Sequence, residues 1–122
     1  MKKLLSLVIV SSLFLVCYSC YYDTEIEHEI PTPPDAIAFA DDVLPIFSQC
    51  TGCHGGTTSP DLRPTNAYSS LVPEYVVAGD SENSKFYKKL PGVGHPMEVG
   101  FTLSLTEISL IKGWIDQGAE NN

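Results

Sequence analysis

The stretch SQCTGCHGG, residues 48–56, sets Cys50 and Cys53 three apart, with His54 directly after the second cysteine and two glycines behind it. Apolar residues precede it in DAIAFADDVLPIF, 35–47, where Phe39, Val43 and Ile46 recur at helical spacing. That run predicts a helix with Asp35 as its N-cap. Pro45 lacks a backbone N–H and predicts a kink, with the last turn running on towards Cys50.

Downstream, GGTTSPDLRPTN (55–66) reads as a loop, AYSSLV (67–72) as one or two helical turns, and GDSENSKFYKKL (79–90) as a helix capped by Asp80 or Ser81. PGVGHPMEVGFTLS (91–104) is another loop. SLTEISLIKGWIDQGAENN (104–122) is the clearest helix, with Thr106 as N-cap, Ile108, Ile111 and Ile115 on one face, and Gly118 as C-terminal cap. No alternating strand pair and no repeat occurs. The fold class expected is all-α, a few helices with long loops, and loops of that length in a small domain suggest wrapping around something.

The N-terminus reads differently. MKK followed by LLSLVIVSSLFLV has the make-up of a signal peptide and is short for a membrane span. It ends in VCYSC. Ser19 before Cys20 is the small residue that lipoprotein cleavage favours, so residues 1–19 are expected to be a lipoprotein-type signal and Cys20 the lipid anchor, with Cys17 as the alternative. Residues 20–34, acidic and proline-rich without a period, read as a flexible tether in which His28 has no assigned role. The domain is then 35–122, and the chain is exported to the periplasmic side of a bacterial membrane.

The formal net charge is −8, from 7 Lys and Arg against 15 Asp and Glu. Cleavage removes Lys2 and Lys3, leaving Arg63, Lys85, Lys88, Lys89 and Lys112 to face all 15 acids. Nucleic acid and anionic membrane surfaces are poor partners for such a chain. A basic protein fits it, and solubility alone accounts for it equally well.

Cys50, Cys53 and His54 form C-x-x-C-H, the attachment signal of c-type haem. Each cysteine sulfur adds to one haem vinyl group, and the adjacent histidine falls under the porphyrin as an iron ligand. Export agrees with this chemistry. A thioredoxin-like C-x-x-C would follow a strand in a βαβ unit, which is missing here. A zinc site needs four convergent ligands. The second axial ligand has to come from His95 or Met97 in GVGHPMEVG, because no other His or Met follows His54. Met97, in a polar loop, is favoured, with His95 as the alternative; Glu98 beside them reads as solvated.

CTGCH, HPM and IKGWIDQGAENN together resemble a class I cytochrome c, more narrowly the short planctomycete-type cytochrome c domain, over about 35–122. One feature departs from that pattern: the short domains carry Met-Pro, whereas here Pro96 precedes Met97. The resemblance implies that Phe39 and Val43 meet Ile111, Trp114 and Ile115 where first and last helices cross. It also implies a proline carbonyl accepting the His54 N–H, from Pro60 or, preferred, Pro64. The function expected is a monomeric electron carrier with one covalent haem c, its iron cycling Fe(II)/Fe(III) between His54 and Met97, exchanging electrons with redox partner proteins. It is not an enzyme. The alternative is a haem sensor or peroxidase-like domain with an open or His95-ligated distal site.

Overall fold

The computed structural model describes Met1 and residues 29–122. The expected signal peptide, Cys17, Cys20, His28 and residues 20–28 of the tether lie outside the described residues. All regular structure among the described residues is helical, with no strand. None of these helices is long and apolar enough to cross a membrane.

The helix expected before the motif changes its hydrogen-bond period at the proline. A π-helical turn, Phe39–Val43, runs directly into a 3₁₀ helix, Leu44–Gln49. Pro45 explains the join. In an α-helix residue 45 would donate to the carbonyl of residue 41, and proline has no N–H to give. Here the Leu44 N–H reaches back to Phe39 O, and Pro45 falls in the first turn of the 3₁₀ helix, where no donor is needed. Asp35 is not the N-cap, since the helical segment begins at Phe39. The Asp42 carboxylate instead accepts the Ala38 N–H at 2.8 Å. Asn122 pins the same start: its Oδ1 accepts the Phe39 N–H and its backbone O accepts the Ala40 N–H, at 2.8 and 2.9 Å.

Three α-helices follow, α1 (Ala67–Leu71), α2 (Lys85–Lys88) and α3 (Leu105–Asp116). α2 starts later than expected, with Ser84 rather than Asp80 or Ser81 as N-cap. Asp80 instead closes the preceding turn, accepting from Asn83 N–H and Nδ2. The cap of α3 is Ser104, not Thr106. Ser104 Oγ accepts the Glu107 N–H, and Glu107 Oε2 accepts the Ser104 N–H, which makes a complete capping box. Gly118 ends α3 as expected, at φ +114°: its N–H bonds Ile115 O and that of Ala119 bonds Trp114 O, a Schellman pair.

The first helical segment crosses α3. Phe39 packs on Trp114 with ring centroids 5.0 Å apart and on Tyr68 at 5.4 Å. Val43, Ile111 and Ile115 are fully buried in the same core. Phe47 extends it to α2 through Phe86, at 5.4 Å. Residues 31–34, within the segment expected to be a tether, lie along α3: Ser109 Oγ donates to Pro31 O and Gln117 Nε2 to Pro34 O.

Candidate functional site

The 3₁₀ helix delivers the motif. The Cys50 N–H closes it on Phe47 O, and the chain makes one more turn, in which Cys53 and His54 N–H both point to Cys50 O, at 3.2 and 2.9 Å. Cys50, Cys53 and His54 therefore project from a single turn. Cys50 is half-buried against the core, Cys53 is exposed, and both are free thiols.

Burial pushes the Cys50 thiol above its ordinary range, and the charges of Glu107 and Cys53 act in the same direction. A cysteine working in thiol–disulfide exchange has its pKa lowered, commonly at a helix N-terminus. Cys50 is instead the C-cap of the 3₁₀ helix. These features argue against the thioredoxin-like reading. Among the described residues no three His, Cys, Asp or Glu side chains converge as a metal site.

After His54 the chain must reverse quickly. Gly56 makes this possible: at φ +102° it adopts a conformation that side chains disfavour, and a Cβ there would lie 2.6 Å from Arg63 Nη2. The Leu62 N–H returns to His54 O at 2.8 Å, with Leu62 buried as the anchor.

This reversal places buried Pro60 at the imidazole. Its carbonyl lies 3.0 Å from His54 Nδ1. A carbonyl can only accept, so Nδ1 carries the hydrogen, which in the neutral ring leaves the lone pair on Nε2. The proline is Pro60 rather than Pro64. Pro64 is exposed, beyond the point where Leu62 has already closed the turn.

The sequence reading missed what holds this loop. Asp61 grips Arg63 with Oδ1 on Nε at 3.0 Å and Oδ2 on Nη2 at 2.6 Å, and accepts Asn66 Nδ2 at 2.7 Å. The Arg63 and Asn66 hydrogen bonds hold the Asp61 carboxyl well below the usual carboxylate range. The D-x-R-x-x-N spacing was its only signal.

His95 and Met97 are neighbours in the 91–102 loop, with His95 Nδ1 2.9 Å from Met97 O. His95 is half-buried; Met97 is 70% exposed, and Glu98 is exposed as expected. The loop borders an open hollow of about 490 Å³, lined by His95, Met97 and Phe101 among others. The structure thus gathers the candidate residues in two groups, Cys50–Cys53–His54 and His95–Met97, and no hydrogen bond joins the groups. α3 bonds the residue just before the first of them, as Gln49 Nε2 donates to Glu107 Oε1 at 3.1 Å. Comparison of the chain with protein-family models, with curated proteins and with solved structures found no match.

Proposed function

We propose that the chain is an exported electron carrier with one covalently attached c-type haem, built on a cytochrome c-like fold. The observation that carries this reading is the His54–Pro60 hydrogen bond beside two free thiols on one turn. The bond fixes the imidazole tautomer and leaves Nε2 as a ligand atom, the usual arrangement behind a metal-binding histidine. Cys50 and Cys53 form the two thioethers. Met97 is the distal ligand, and anchoring through Cys20 holds the domain at the periplasmic side of the membrane. When bound, the haem supplies the one-electron Fe(II)/Fe(III) couple. The protein contributes ligands, burial and a surface for redox partner proteins.

Production alongside haem-attachment machinery tests the reading. The mass should rise by one haem per chain, resistant to acidic organic solvent. A mature protein with no added haem and a reversible Cys50–Cys53 disulfide would overturn it.

The exposure of Met97 favours keeping a second reading, a sensor or peroxidase-like domain whose distal site is open or taken by His95. Ready binding of carbon monoxide by the reduced wild type supports that second reading against the first.

A further inference from the structure

We infer that His95 is a positioning residue whose imidazole holds the backbone of Met97 and so presents its thioether as a ligand; this rests on Met97 being the distal ligand of the proposed haem. The loop that carries both residues is tied at its neck. The Leu103 N–H donates to Pro91 O at 3.1 Å, and the Val93 and Gly94 N–H groups both return to Leu90 O, at 2.9 and 3.1 Å. Gly94 packs against the end of α2, where a Cβ would lie 2.5 Å from Lys88 O. Beyond the neck the ties thin out. Among the described residues, the only hydrogen bonds made by residues 95–102 are those between the His95 imidazole and the Met97 backbone.

Two atoms of that backbone face Nδ1, the carbonyl O at 2.9 Å and the amide N at 3.3 Å. Nδ1 serves one of them at a time. With a hydrogen on Nδ1 it donates to the carbonyl; in the other tautomer its lone pair accepts the N–H. Either tautomer therefore keeps a tie to Met97. The link between the two residues is stiff, since Pro96 has φ fixed by its ring and disfavours the helical region for His95. Few backbone states compete with the buckle. Both bonds use main-chain atoms of Met97, so its side chain stays free, 70% exposed beside the hollow that the loop borders.

The consequence is thermodynamic. A ligand on a loose loop loses conformational entropy when it binds, and one already held loses less. Removing the tie should raise the fraction of molecules with Met97 off the iron about five-fold, the effect of one net hydrogen bond. Carbon monoxide enters only while Met97 is off, so its binding rate should rise by the same factor.

Wild type, His95→Ala and His95→Asn, each purified as the full chain from an exporting host, decide this. Asparagine keeps a short amide that reaches the same backbone and removes the imidazole. Carbon monoxide should bind reduced His95→Ala about five times faster than wild type, and His95→Asn at close to the wild-type rate. All three should keep the far-red sulfur-to-iron band when oxidised. A second readout leaves ligation aside. With carbon monoxide in place of Met97, nitrogen-15 relaxation should give a Met97 amide order parameter that falls below about 0.6 in His95→Ala and recovers in His95→Asn, with Ile111 and Ile115 unchanged. Equal rates or equal order parameters in wild type and His95→Ala overturn the positioning role, as does His95→Asn behaving like His95→Ala. A wild type without the band, opened by both His95 variants, makes His95 the ligand and overturns it too. If the purified chain carries no haem, the electron-carrier reading fails, and the order parameters measured on that chain still judge the tie.

Discussion

At the residue scale, the proposed chemistry divides between Cys50, Cys53 and His54 on one turn and the His95–Met97 pair in the 91–102 loop. Cys50, Cys53 and His54 were legible in the sequence because their relation is covalent adjacency. Pro60 was one of two candidates the resemblance offered, and the choice over Pro64 depends on the Gly56 reversal and the Leu62 anchor, which spacing alone does not reveal. Met97 is the residue on which the reading turns. A thioether ligand raises the reduction potential of a haem. A Met97-ligated protein should show a weak far-red sulfur-to-iron band when oxidised, and should resist carbon monoxide when reduced. Met97→Ala should abolish the band and admit carbon monoxide. If His95→Ala has those effects on ligand binding instead, His95 is the ligand. Cys20→Ser is the matching test at the other end of the chain: it should remove fatty-acid labelling, whereas loss of labelling in Cys17→Ser alone moves the anchor.

At the scale of the element, the helices read from periodicity exist, and their starts were the part misplaced. Thr106 has the right side chain for a cap, but the reciprocal pair forms at Ser104, which has a glutamate three residues on. The docked 31–34 segment was misread for a related reason, since an extended proline segment has no period to detect. The capping box makes a prediction in pH. The Ser104 N–H holds the Glu107 carboxyl below its ordinary value of 4.5, with the Ser104 hydroxyl and Gln49 assisting. A lowered folded pKa adds stability that is present above the unfolded value and is lost as pH falls through the folded one. The melting temperature of the wild type should therefore fall between about pH 5 and about pH 3, and less steeply in Glu107→Gln. Ser104→Ala should cost about 1 kcal/mol at neutral pH. Equal pH slopes for wild type and Glu107→Gln would remove the carboxylate from this account.

For the whole molecule, one crossing organises the rest: periodicity marked the apolar faces of Phe39, Val43, Ile111 and Ile115, and it was the family resemblance that implied they meet. What periodicity could not reveal is how the ends of the chain close over that crossing. Trp114 sits at the junction, 1% exposed, between Phe39 and Tyr68, with its indole N–H donating to Glu120 O at 2.9 Å. Tyr68 OH donates to Ala119 O at 3.0 Å, so the segment after α3 is held from both rings. Trp114→Ala removes the central ring and the indole bond at once, and aromatic truncations in cores cost about 3–5 kcal/mol. Against the roughly 5–15 kcal/mol of a whole domain, that loss should lower the melting temperature by well over ten degrees for a domain of this size. Trp114→Phe keeps most of the packing and loses only the indole bond, worth about 1 kcal/mol, so it should lie between the two. Thermal melts of the three proteins give the order, wild type above Trp114→Phe above Trp114→Ala. A Trp114→Ala protein that melts with the wild type would mean that the crossing does not hold the domain together and that the stability lies in the loops.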